Sequence, residues 1–170
     1  RQVLKEELTK LLVKNKIFEH ENEIEPADFA SETWSEISKL INSGKERTGF
    51  ATFFRQYWSS KYKSSTASTL YKDFETIVKV EDYKDLLRDL KKEATVYQHI
   101  SNPSREAFEN KKQYFFLVQI LSVFNAYFSV IQVRVPLLAL FYAKERGLIK
   151  LGKLEKVAKY LEGFHFVYNS

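Results

Sequence analysis

Apolar residues recur at intervals of three and four along most of this chain, the spacing typical of helices that bury one face. Polar stretches, glycines and prolines separate these segments. No stretch of useful length alternates apolar and polar residues as a strand does. The pattern predicts helices around residues 3–12, 27–42, 49–62, 70–78, 82–100 and 150–168.

The densest apolar material lies between residues 113 and 142. Its first part, 113–133, carries no charge over about 21 residues, which is long enough to cross a bilayer as a single helix. Gln119, Asn125 and Gln132 interrupt it, and each side-chain amide would need a hydrogen-bond partner inside hydrocarbon. The interruptions favour two helices of a soluble domain over a membrane span.

Pro136 marks the break between these two helices. Proline favours the first turn of a new helix, and the residue before it, Val135, is pushed toward an extended conformation. Gly147 can take the left-handed conformation that closes a helix. We therefore expect a helix over 111–125, an extended connector and a second helix over 136–146, which together form a buried central hairpin.

The fold class predicted is all-α, a compact bundle of about seven or eight helices in one domain over 1–170. At 170 residues and 44% hydrophobic content, the chain is long enough to bury one core. It has no cysteine, so disulfides and thiolate metal ligands are excluded and a cytoplasmic location is expected. It also has no methionine, which suggests a fragment of a larger multidomain protein. The sequence does not specify an oligomeric state.

Residues suited to catalysis are few. The five glycines are scattered and form no phosphate-binding loop, and the three histidines lie far apart. His20 within the acidic stretch 19–25 could be imagined as a metal site, but a solvated acidic loop is the favoured interpretation. His165, between Phe164 and Phe166, is interpreted as a packing residue rather than a ligand. The segment is predicted to be no enzyme and to hold neither metal nor cofactor.

The predicted helix 49–62 is unusually aromatic. Its aromatic residues, interleaved with Arg55 and Lys61, could stack on a nucleic acid strand. Alternatively, Phe50, Phe54 and Trp58 could line an apolar groove for a protein partner. Aromatics at helical spacing are more often core residues, with the stems of the basic side chains lying along that core. The core interpretation is favoured, and the interaction surface remains the alternative.

Positive charge is concentrated near the end of the chain. Residues 144–159 contain six basic and two acidic residues, a net +4 of the chain's formal +5. Within this region Lys150, Lys153, Lys156 and Lys159 recur every third residue, so a partly continuous basic strip on the last helix is feasible. Such a strip would attract nucleic-acid phosphates. A solvated helix face is the competing interpretation.

Three segments together resemble the helical middle region of GmrSD-type restriction proteins: 55–62 (RQYWSSKY), 135–140 (VPLLAL) and 161–169 (LEGFHFVYN). In that family the helical region lies between a ParB-like NTPase domain, with an Asp-Gly-Gln-Gln-Arg motif, and a His-Asn-His nuclease domain. Neither motif is present in this sequence, so no catalytic residue can be carried over.

The resemblance implies a non-catalytic helical scaffold of a prokaryotic antiphage protein that cuts modified or foreign DNA in an NTP-dependent manner. Its partners would be the neighbouring NTPase and nuclease domains, and DNA through the lysine strip. No membrane partner is expected. The alternative is a free-standing helical module that binds another protein.

Overall fold

A computed structural model describes residues 26–43, 48–66, 68–79, 83–128 and 133–168 of the chain. These residues form seven α-helices and no strand, which confirms the predicted all-α fold. The helices are α1 (Pro26–Ile41), α2 (Phe50–Lys61), α3 (Leu70–Ile77), α4 (Tyr83–Ser101), α5 (Phe115–Val123), α6 (Arg134–Glu145) and α7 (Leu151–Tyr168). The predicted opening helix and the acidic stretch around His20 lie outside the described residues.

Helix α6 lies between two groups of packed helices. On one side α4 packs most extensively against α1 and also contacts α2. On the other side α5 packs against α7. Helix α6 contacts α2, α4 and α7, so the two helices of the predicted central hairpin, α5 and α6, both pack on α7.

Aromatic rings, most of them on α2, form a large part of the core between α1, α2 and α4. Trp34 of α1 meets Phe50 edge-on at 4.8 Å, and Phe53 of α2 meets Tyr97 of α4 edge-on at 5.3 Å. Offset and edge-to-face ring pairs of this kind stabilise a core beyond the area that they bury. The aromatic character of the predicted helix 49–62 therefore reflects packing.

The start of α6 differs from the prediction. The helix begins at Arg134, so Val135 is helical rather than extended and Pro136 is the third helical residue. Proline is tolerated there because the first backbone N–H groups of a helix have no intrahelical acceptor. The preceding helix α5 is also shorter than expected, and a π-helical turn, Phe124–Phe128, follows it directly.

The end of α6 follows the prediction. Gly147 has a φ of 71°, the left-handed conformation expected for a residue that closes a helix. Its N–H donates to the carbonyl of Lys144 at 3.0 Å, and the N–H of Leu148 donates to the carbonyl of Ala143 at 2.9 Å. This pair of hydrogen bonds is the Schellman motif, which satisfies carbonyls left open at a helix end.

Asn125 shows how the long uncharged segment accommodates a polar side chain. Its Nδ2 donates to the carbonyl oxygens of Ile100 at 2.7 Å and Leu121 at 2.8 Å. Gln119, by contrast, lies exposed on α5. Within the described ranges, no helix combines the length and apolar character needed to cross a membrane.

Candidate functional site

The four lysines predicted as a basic strip are all exposed. Lys150 lies just before α7, and Lys153, Lys156 and Lys159 lie on its first half. None of them forms an ion pair with a carboxylate in the described part of the chain. Their charges are therefore not neutralised by the described residues, as a site for an anionic partner requires.

The helical repeat aligns part of this strip with exposed aromatic rings. Successive positions differ by about 100° on an α-helix, so Lys153, Lys156, Tyr160 and Phe164 fall along one ridge of α7. Tyr160 is 66% exposed and Phe164 is 55% exposed. We call these four residues the α7 ridge. The spacing of the two rings in the sequence already places them on the same side of the helix as the lysines, but counting charges alone did not reveal this.

Two of the lysines lie beside aromatic faces. The Nζ atom of Lys156 is 5.9 Å from the centroid of Tyr160, and that of Lys159 is 5.3 Å from the centroid of Phe116 on α5. Phe116 is itself exposed. It precedes Lys159 by more than forty residues, so helical periodicity within α7 could not indicate this neighbour.

The opposite face of α7 attaches the helix to the bundle. Leu154 and Ala158 are fully buried, and the His165 ring meets the Phe124 ring edge-on at 6.0 Å. His165 is therefore a packing residue, as predicted. Glu155 lies beside this buried face, and its partial burial raises the pKa of its carboxyl above the usual value. The anchored face fixes the ridge in its outward orientation.

The prediction of an interaction surface on helix 49–62, which is α2 in the structure, is wrong. Phe54 and Trp58 have 0% exposed surface, and Phe50 is half-buried against Trp34. Trp58 packs on Phe74 with ring centroids 5.9 Å apart. These residues face the core because α2 turns its aromatic side toward α1, α3 and α4, which confirms the favoured interpretation.

Lys61 is the centre of a buried ionic cluster that the sequence did not indicate. Its side chain is 4% exposed, and its ammonium contacts the carboxylates of Asp89 and Glu93 on α4. The rings of Tyr57 and Tyr142 lie 4.8 Å and 3.9 Å from its Nζ atom. We call these five residues the Lys61 cluster, and they connect α2, α4 and α6.

The protonation of the Lys61 cluster follows from burial. Burial raises the pKa of the Tyr57 hydroxyl far above its usual range, and the neighbouring Asp89 charge adds to this effect. Tyr57 therefore stays neutral and donates a hydrogen bond of 2.7 Å to Asp89. Burial also raises the pKa of Glu93, although Lys61 opposes the shift. Lys61 pairs with both carboxylates, as in a structural connection between helices, although Glu93 Oε2 has no hydrogen-bond partner among the described residues.

A cleft of about 530 Å³ opens beside this cluster. Its lining combines apolar and charged side chains, including Ile77, Arg88, Lys92 and Arg146. The guanidinium of Arg146 lies 4.6 Å from the centroid of Tyr142. The cleft lies where α2, α3 and α6 end, and helix carboxyl ends carry partial negative charge.

A metal centre was not expected. Among the described residues, no group of three or more histidine, aspartate or glutamate side chains is arranged to hold a metal ion. His99 packs against the Phe108 ring at 5.2 Å, and burial lowers the pKa of its imidazole below the usual value. His20 and its acidic neighbours lie outside the described residues.

Comparison with protein families, curated proteins and solved structures gives no match to this chain.

Proposed function

We propose that this chain is a non-catalytic helical scaffold of a GmrSD-like, cytoplasmic DNA restriction protein, and that it contacts nucleic acid through α7. The resemblance of three segments to the helical region of that family supports the scaffold role. The observation that carries the nucleic-acid contact is the set of four exposed lysines without an ion-pair partner among the described residues: Lys150, Lys153, Lys156 and Lys159.

The lysines would act by neutralising phosphates and releasing the counterions condensed on the nucleic acid. If all four engage duplex phosphates, the logarithm of affinity falls against the logarithm of salt concentration with a slope of about −3.6. If the lysines take no part in binding, replacing them leaves both the affinity and the salt slope unchanged. The slope therefore reports how many of the lysines take part.

The test is fluorescence anisotropy of labelled DNA titrated with the chain across a salt series. The double change Lys153→Glu and Lys156→Glu should weaken binding strongly and make the salt slope shallower by about 1.8. Lys39 on α1 and Lys72 on α3 are also exposed, so Lys39→Glu with Lys72→Glu is a control of the same charge change. Absence of binding at low salt, or equal losses in both double variants, would contradict the proposal.

The scaffold role would couple two neighbouring domains. We propose that the body formed by α2, α4 and α6 transmits a two-state packing change between an NTPase and a nuclease domain of the parent protein. Exposed apolar side chains at the end of α7, including Phe166, Val167 and Tyr168, offer a surface for such a neighbour.

In the full-length parent, the double change Phe166→Ser and Tyr168→Ser should weaken the control of DNA cleavage by nucleotide. Nuclease assays with and without NTP measure this control. Nucleotide control equal to that of the unaltered protein would count against coupling through this surface.

The same exposed residues favour the alternative function, a free-standing helical module that binds another protein through the end of α7. The full reading frame of the gene distinguishes the two functions. NTPase and nuclease motifs on either side of this segment support the scaffold, whereas a reading frame without them supports the module.

A further inference from the structure

The α7 ridge combines basic and aromatic side chains, which can contact different parts of a nucleic acid strand. Lys153 and Lys156 come first, and Tyr160 and Phe164 follow on the same line. At about 1.5 Å per residue, the ridge is about 17 Å long. Stacked nucleotides occupy about 3.4 Å each along one strand, so about five fit along it.

The exposed rings distinguish a single strand from a duplex. In a duplex the base faces are stacked on one another, so an exposed ring has no base face to contact. A single strand can turn its bases onto Tyr160 and Phe164 while its backbone passes the lysines. From this geometry we infer that the α7 ridge is a binding site for single-stranded nucleic acid. The inference rests on the proposed nucleic-acid contact and specifies its partner.

Phe116 extends the site beyond one helix. It lies exposed on α5 beside Lys159, so a ring and a charge are paired there as they are at Lys156 and Tyr160. A strand that leaves the ridge can therefore meet a second pair of the same kind. One pair lies on α7 and the other is formed between α7 and α5, and together they match the phosphates and bases of a strand better than a single point charge would.

An anionic membrane surface would require a different arrangement. A helix that lies in a membrane interface buries a wide apolar face and carries its basic residues on the opposite face. In the half of α7 that carries the lysines, the apolar face, with Leu154 and Ala158, is already buried in the bundle. The lysines and rings share the remaining face, which suits alternating phosphates and bases.

The experiment compares binding of labelled oligothymidylate, a labelled duplex of the same length, and phosphatidylserine vesicles to the whole chain. We expect oligothymidylate to bind more tightly than the duplex. Tyr160→Ala with Phe164→Ala should weaken oligothymidylate binding by about fivefold or more per ring, with duplex binding and the salt slope unchanged. Tyr160→Phe keeps the ring and should bind as the unaltered chain does.

Because both rings are exposed, the double variant should keep its circular dichroism spectrum and unfolding midpoint. Duplex binding at least as tight as oligothymidylate binding would overturn the inference and leave the proposed DNA contact standing, and so would equal losses for both ligands in the ring variant. No binding of either nucleic acid would overturn both, and binding of the vesicles alone would reassign the ridge to a membrane surface.

Discussion

Lys61 has a structural role in the core that the sequence did not indicate. A buried ammonium is costly unless it is paired and hydrogen-bonded. Here two carboxylates from α4 and two tyrosine rings surround it, so its charge becomes a connection between helices. The stability of the bundle therefore depends on this lysine more than on a typical surface lysine.

We predict that Lys61→Met lowers the free energy of unfolding by about 3 kcal/mol, because it leaves Glu93 buried without its counter-charge. Urea unfolding measures this loss. Lys63→Met is the matched control, since Lys63 pairs with Asp73 where water reaches the ammonium, and its loss should be smaller. Equal losses in the two variants would show that the Lys61 cluster contributes no more than a surface pair.

The raised pKa of Glu93 makes stability depend on pH. Above the usual value of 4.5, the unfolded chain has released the Glu93 proton while the folded chain still holds it. Stability contributed by this group therefore falls as pH rises from 4.5 to the raised folded pKa, and the loss is complete above that pKa.

Glu93→Gln removes this titration. We predict that the unfolding free energy of the unaltered chain minus that of the variant decreases as pH rises through this window. Urea unfolding of both proteins at a series of pH values provides the measurement. A difference that increases with pH would mean that pairing with Lys61 outweighs burial.

At the scale of a helix, the same residue type has opposite effects at an end and in the interior. Gly147 closes α6 in the left-handed conformation, which residues with a Cβ adopt only at a cost. Gly163 lies inside α7, where glycine is less favourable than alanine. A Cβ at either position would meet no atom within 4 Å, so steric conflict does not enter.

Gly147→Ala should therefore destabilise the chain by about 1 kcal/mol. Gly163→Ala should stabilise it by roughly 0.5–1 kcal/mol, because alanine loses less conformational freedom in a helix. Thermal unfolding of the two variants checks the opposite signs. A stabilising Gly147→Ala would show that the Schellman motif is not needed to close α6.

At the scale of the whole molecule, Tyr97 connects distant parts of the chain. Its hydroxyl accepts a hydrogen bond of 2.8 Å from Arg134 at the start of α6 and shares one of 3.3 Å with Thr48 before α2. All three residues are buried. Gly49 holds the N-cap position of α2, and the hydroxyl of the preceding Thr48 is directed to Tyr97.

Tyr97→Phe should cost about 2 kcal/mol of unfolding free energy, because it removes an acceptor from a buried guanidinium. Tyr114→Phe is the control. It removes a hydroxyl that accepts a hydrogen bond of 2.7 Å from Lys144, but both of these side chains are only half-buried. Urea unfolding should give the larger loss for Tyr97→Phe, and the reverse order would contradict a central role for Tyr97.

Much of the helix pattern could be predicted from local sequence. Helix α1 covers Pro26–Ile41 where 27–42 was expected, and α4 covers Tyr83–Ser101 where 82–100 was expected. The left-handed Gly147 and the exposed face of Lys153 and Lys156 were also predicted. These features depend on periodicity and on the conformational preferences of residues close together in the chain, which short-range physics decides.

By itself, then, the sequence determined the helical class, most helix bounds and the line of lysines on the last helix. The tertiary structure decided between the two interpretations of Phe54 and Trp58 in favour of the core. It alone showed that Lys61 pairs with Asp89 and Glu93, and that Phe116 lies beside Lys159. The physical reason is that these contacts join residues that are far apart in the sequence. Which face of a helix is buried, and which charge finds a partner, depends on residues far away in the chain that only packing brings together.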